Sequence, residues 1–168
     1  MPSHLYQSIG CGYLRIIVFP PHFRVTSLTM NTTTAPSNET RSLAGAPKVP
    51  LISIVDDDES VRVALKSLIG SVGFRAEVFG SGEEFLNSPY ISKTDCLIAD
   101  VRMPGMGGLE LQERLNAAHL SIPVVFISAH DDGEARARGL RAGAVDFLKK
   151  PFSEDALLGA ISAGLDKS

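Results

Sequence analysis

The chain has 168 residues, 44% hydrophobic and 21% charged, with a formal net charge of −3. That length is enough for one domain with its own core plus a tail. The slight acidity argues against a basic nucleic-acid-binding face, two cysteines argue against a disulfide scaffold, and no apolar run approaches the ~20 residues of a membrane-spanning helix. The N-terminal candidate, Ile16-Ile17-Val18-Phe19, stops at Pro20-Pro21. With no positive leader and no clear small-residue cleavage site, the sequence reads as cytoplasmic.

Residues 1–48 are expected to form a disordered N-terminal extension. After the apolar patch at residues 14–19 comes Met30-Asn31-Thr32-Thr33-Thr34-Ala35-Pro36-Ser37-Asn38, then Gly45-Ala46-Pro47. Such a composition buries too little apolar surface to offset the entropy of ordering. A folded domain is expected over residues 49–168.

From Pro50 the pattern turns regular. Leu51-Ile52-Ser53-Ile54-Val55 reads as a strand that ends in Asp56-Asp57-Asp58. Val61, Leu65, Leu68, Ile69 and Val72 then form a helical stripe, closed by Gly73 at the C′ position. Arg75-Ala76-Glu77-Val78-Phe79 reads as a second strand, and Ser81-Gly82-Glu83-Glu84 has the spacing of a capping box. Cys96-Leu97-Ile98-Ala99 lacks polar alternation and reads as a strand buried on both faces. It runs directly into Asp100 and a Pro/Gly turn. Cys96 is read as a small core residue. Leu111, Leu115 and Ala118 mark a third helix, and Pro123-Val124-Val125-Phe126-Ile127 a fourth strand. Asp131 or Asp132 is expected to cap a fourth helix ending at Ala142-Gly143, before a fifth strand over residues 144–148. Ser153, Glu154 and Asp155 open a last helix with Leu157, Ile161 and Leu165 on one side.

Five strands alternating with five helices predict an α/β fold: a doubly wound five-stranded parallel sheet with helices on both faces. In the flavodoxin-like order 2-1-3-4-5, the carboxyl ends of the first and third strands meet at the topological switch point. Asp56, Asp57, Asp100, Ser128 and Lys150 all lie at or just past strand ends, so the fold gathers them at one rim. Any one of them alone reads as a cap, loop or surface residue. Together, the carboxylates repel by about 4 kcal/mol per pair at ~4 Å and an effective dielectric near 20. A cation relieves that, and oxygen ligands without His or Cys favour Mg²⁺. Lys150 and Ser128 suit phosphoryl oxygens. Asp100, ionised at neutral pH, is placed as a nucleophile towards phosphorus.

Val55-Asp56-Asp57-Asp58, the Asp100-Val101-Arg102-Met103-Pro104-Gly105-Met106 block with Gly108, Ile127-Ser128-Ala129-His130 and Gly143-Ala144-Val145-Asp146-Phe147-Leu148-Lys149-Lys150-Pro151-Phe152 also resemble the receiver domain of bacterial two-component response regulators. The resemblance covers about residues 50–167 and is greatest to the nitrogen-fixation regulator branch, among receivers of LuxR-type transcription factors. It implies a phosphorylation-dependent signalling switch rather than an enzyme with an outside substrate, one that catalyses only its own phosphorylation and dephosphorylation. Asp100 would accept a phosphoryl group from the phosphohistidine of a sensor histidine kinase. Asp57 and Asp100 would ligate Mg²⁺, with the Arg102 backbone carbonyl as a third protein ligand and Asp56 acting through water. Lys150 would pair with the phosphoryl group ahead of a cis bond to Pro151. Ser128 and Phe147 would form the switch, and small Ala129 would leave access to the site. Arg102 and His130 occupy positions that influence how fast such groups are lost.

The implied partners are the kinase and a downstream protein or output domain on the face of the fourth helix, fifth strand and fifth helix. A homodimer on phosphorylation is a further implied assembly, with no direct nucleic-acid or membrane partner. Arg136, Arg138 and Arg141 read first as a solvated helix face, and Gly139 marks that helix as the loosest element. The sequence stops soon after the fifth helix, so a receiver without an output domain is expected. The alternatives are a receiver fragment of a DNA-binding regulator and an aspartate-based phosphohydrolase. The phosphohydrolase pattern needs a second Asp where this chain has Arg102.

Overall fold

The computed structural model describes residues 48–130 and 132–167. Residues 1–47 of the expected disordered extension, Ser168 and the alternative cap Asp131 lie outside the described residues, whereas Lys48, assigned to that extension, is described and pairs with Asp95. Five strands, β1 (Leu51–Val55), β2 (Arg75–Phe79), β3 (Cys96–Asp100), β4 (Val124–Ser128) and β5 (Asp146–Lys149), alternate with α1 (Glu59–Ser71), α2 (Gly82–Leu86), α3 (Gly108–Ala117), α4 (Gly133–Arg141) and α5 (Glu154–Leu165). The sheet order is β2-β1-β3-β4-β5, and every pairing is parallel. This is the expected doubly wound fold.

Helices on both faces bury β1, β3 and β4 along their whole lengths, which is why those strands read as unbroken apolar runs. Alternate residues still serve different layers. Cys96 and Ile98 pack in the layer that holds Leu65, Ile69, Leu157 and Ile161 of α1 and α5. Leu97 and Ala99 pack in the layer of Phe85, Leu111, Leu115 and Phe126. Burial pushes the Cys96 thiol up to about 12, so at pH 8 its thiolate fraction is on the order of 10⁻⁴, against roughly a quarter for a free cysteine. Its contribution to stability is full below about pH 8.5 and declines above it, where the unfolded thiol ionises and the buried one does not. Iodoacetamide at pH 8 is expected to leave Cys96 unmodified in the native chain and to label it promptly in urea, as read by peptide mass mapping. Equal labelling in both states would contradict the buried placement.

The helix ends follow their signals. Asp58 accepts from the Ser60 amide, Asp132 from Ala135 and Ser153 from Ala156. At α2 the Ser81 hydroxyl accepts from the Glu84 amide, but the Glu84 carboxylate reaches back to the Gly80 amide, one residue before the cap. Gly73 and Gly143 follow α1 and α4 with φ of 88° and 96°, the left-handed conformation that makes glycine the natural stop. A short 3-10 turn at Ile91–Lys93, which the sequence pattern did not predict, precedes β3.

Two expectations are corrected. The fifth strand starts at Asp146 rather than Ala144, because the run Ala144-Val145 belongs to the approach and pairing with β4 begins at Asp146 opposite Val125. In α3, Ala118 is an exposed C-cap, and Gln112 is the residue buried beside Leu111 and Leu115. Gln112 donates to the Ala142 carbonyl, as does Asn116, so α3 holds the end of α4 through two amides. Gly139 also has a packing role: a Cβ there would lie 2.8 Å from the Phe126 ring and 3.2 Å from Leu109. Its missing side chain lets α4 sit directly on β4.

Candidate phosphoryl and cation site

The parallel topology carries the ends of β1 and β3 to one edge, and Lys150 follows β5 to the same place. Asp56, Asp57 and Asp100 each offer an oxygen, and the three lie within 4.8 Å of one another. The Lys150 Nζ donates to Asp56 Oδ2 at 2.8 Å and to Asp100 Oδ2 at 2.6 Å. Asp56 and Asp100 are buried, while Asp57 is exposed. The Lys150–Pro151 bond is cis, as expected.

Burial pushes the Asp56 carboxyl above its ordinary range, and the Lys150 bond pulls it down without cancelling that. Burial would lower the Lys150 ammonium, but Asp100 and Asp56 outweigh it and hold the lysine above its ordinary range. Both directions agree with a site where Lys150 keeps its proton and Asp56 lacks a full counter-charge. Three hard oxygen donors with a deficit of positive charge fit a cation such as Mg²⁺.

The turn after β3 holds Asp100 in place. The Arg102 amide donates to Asp100 Oδ1 at 2.9 Å. Gly108, at the start of α3, lies so close that a Cβ would run into the Asp100 carbonyl. The Arg62 guanidinium donates to the Asp56 carbonyl at 2.7 Å. Ser128 is buried at the end of β4, its hydroxyl accepting from the His130 amide and its carbonyl from the Lys150 amide. Thus Asp56, Asp57, Asp100 and Lys150 meet directly, whereas Ser128 stands on the neighbouring strand end, engaged with His130. Ala129 and His130 are exposed beyond it.

Phe147 lies further off, buried in β5 with its ring 6.0 Å from that of Phe126. Sequence reasoning missed its partner. Arg136 donates to the Phe147 carbonyl at 2.6 Å and lies 5.8 Å from the Phe147 ring centroid, so it is not merely part of a solvated face. Arg138 likewise pairs with Glu113 of α3. The Arg102 guanidinium pairs with Asp132 at 3.0 Å.

A parallel five-stranded sheet with an acidic pocket and a lysine at its carboxyl edge is the architecture of a receiver. A family model described as the response regulator receiver domain matches residues 52–162, and the chain belongs to that family. It is 48% identical over 118 residues to the response regulator protein TodT of Pseudomonas putida, covering 70% of this chain and 52% of TodT. To the transcriptional regulatory protein FixJ of Bradyrhizobium diazoefficiens it is 35% identical over 114 residues, covering 68% of this chain and 56% of FixJ. Among solved structures, that of FixJ-N superposes with a TM-score of 0.66 at 32% identity, covering 72% of this chain and 97% of that one. The response regulator StyR gives 0.67 at 48% identity, covering 71% and 61%. The chain spans about half the length of the curated relatives it matches. Among the described residues no helix is long and apolar enough to cross a membrane.

Proposed function

We propose that residues 49–168 act as a phosphorylation-dependent switch in the cytoplasm, with Asp100 taking a phosphoryl group from the phosphohistidine of a sensor histidine kinase. The observation that carries this reading is the Lys150 ammonium bonded at once to Asp56 and Asp100, beside a third carboxylate. In the transfer an Asp100 oxygen forms the new bond to phosphorus. The phosphorus–nitrogen bond breaks, and its electron pair stays on the donor imidazole. The Arg102 amide orients Asp100, and Lys150 takes up charge on the phosphoryl oxygens. Asp57, Asp100 and the Arg102 carbonyl would hold Mg²⁺, with Asp56 acting through water. When bound, the metal supplies neutralisation of the charge on the phosphoryl oxygens.

Ser128 then donates to a phosphoryl oxygen and Phe147 follows, changing the face of α4, β5 and α5. That face meets a downstream protein or output domain, or a second copy. The name of FixJ as a transcriptional regulatory protein supports an output in gene control, and makes the receiver part of a DNA-binding regulator the second reading. A phosphohydrolase is disfavoured because exposed Arg102 stands where a general acid is needed.

Incubating the full chain with Mg²⁺ and acetyl phosphate is expected to add one phosphoryl group by intact mass, with none on Asp100→Asn and no sustained turnover of small phosphomonoesters. Equal labelling of Asp100→Asn would overturn the assignment of the acceptor.

A further inference from the structure

Asp132, one of the two residues expected to cap α4, does two things at once with its carboxylate. Oδ1 accepts from the Ala135 amide and caps α4, while Oδ2 pairs with the Arg102 guanidinium at 3.0 Å. Arg102 is also the residue whose amide holds Asp100 Oδ1, so the chain running from acceptor to helix cap has only two side chains. Little apolar surface holds the helix beyond that point. Only Ala135 and Gly139 of α4 are buried, and its other ties are polar: Arg136 to the Phe147 carbonyl, Arg138 to Glu113, and two α3 amides to the Ala142 carbonyl.

We propose that Arg102 exchanges partners, leaving Asp132 for the phosphoryl group on Asp100, and so loosens the first turn of α4. This rests on the phosphoacceptor reading above. A guanidinium prefers a phosphate-like group with more charge and more acceptor oxygens over a half-exposed carboxylate. No bond in the backbone need break, because Asp132 keeps its capping bond to Ala135. What is lost is the tie between that cap and the turn after β3, so Arg102 acts as a positioning residue for α4.

The test uses the full chain with Mg²⁺ and beryllofluoride as the phosphoryl mimic. Occupancy is followed by fluorine NMR and helix opening by amide hydrogen exchange. In wild type, the mimic is expected to speed exchange over residues 135–137 by about two- to fivefold, the scale of one exposed ion pair. Asp132→Asn keeps a capping side chain but removes the charge. It should exchange at the raised rate without the mimic, and gain less than about twofold more with it. Arg102→Gln, which leaves the cap untouched, should behave in the same way. A full mimic response in both variants would overturn the exchange while leaving the acceptor reading intact. Absence of a bound fluorine signal in wild type would overturn the acceptor reading and the exchange with it.

Discussion

Lys150→Ala is expected to destabilise the domain by about 2–4 kcal/mol at pH 7 without added metal. The lysine side chain is 22% exposed, and its partners Asp56 and Asp100 are 1% and 11% exposed. Removing it leaves two carboxylates side by side with neither a counter-charge nor water enough to screen them. Desolvation and mutual repulsion then act together, so the cost exceeds that of a surface ion pair. Urea unfolding would read the loss as a lower midpoint at unchanged slope. Acid should shrink the difference between the variant and wild type. Burial already raises the Asp56 carboxyl above its unfolded value while the Lys150 bond pulls it down, so without the lysine it lies higher still, and lowering the pH through that raised value protonates Asp56 and removes the repulsion. Millimolar Mg²⁺ should restore part of the stability by binding the folded pocket only. A variant as stable as wild type at pH 7, and insensitive to Mg²⁺, would show that the lysine does not neutralise this pair. Asp100→Asn makes the useful contrast: Lys150 keeps Asp56 as a partner, and stability should change by less than about 1 kcal/mol although phosphoryl uptake is lost.

The second large effect is expected at Gly108. A Cβ there meets the carbonyl of Asp100, a backbone group fixed in the middle of the sheet rather than the far end of a flexible side chain. Relief must come from moving the start of α3 or the end of β3, and overpacking of this kind costs about 1–3 kcal/mol. Gly108→Ala should therefore lower the urea midpoint and slow phosphoryl uptake as well, because the displaced strand end carries Asp100, the proposed acceptor. Gly133→Ala is the matched control. It too substitutes the first residue of a helix, but nothing lies within 4 Å of its Cβ position. The gain from a stiffer unfolded chain, about 0.4–1 kcal/mol, should be visible there without opposition. If both variants were neutral, close packing between α3 and Asp100 would not be holding the rim.

These contrasts also show what the sequence carried and what it did not. β1, β3 and β4 were legible because burial on both faces writes itself as consecutive apolar residues. Asp56, Asp57, Asp100 and Lys150 followed once the order of strands was known, since parallel strands deliver their carboxyl ends to one edge. β5 was misplaced because an apolar pair, Ala144-Val145, precedes the pairing register, while edge position lets the strand itself begin with Asp146. Gln112 was overlooked because a buried amide has no periodic signature and Ala118 completed a plausible apolar spacing. Arg102 with Asp132, and Arg136 with Phe147, join residues 30 and 11 apart. Such pairs depend on how long side chains reach across loops, which neither hydropathy nor spacing encodes.

The start of β1 has a practical consequence. Lys48 and the Leu51 amide are both bound by Asp95, just before β3, and Gly164 near the end of α5 packs against Cys96 and Pro123. Both boundaries of the described domain therefore emerge at the amino edge of the sheet, across the full strand length from the acidic pocket. A fluorophore or surface linker attached at either boundary would leave the reactive rim facing solution. Tethered in this way, the molecule can be titrated with metal and phosphodonor on a sensor surface without its handle blocking the chemistry.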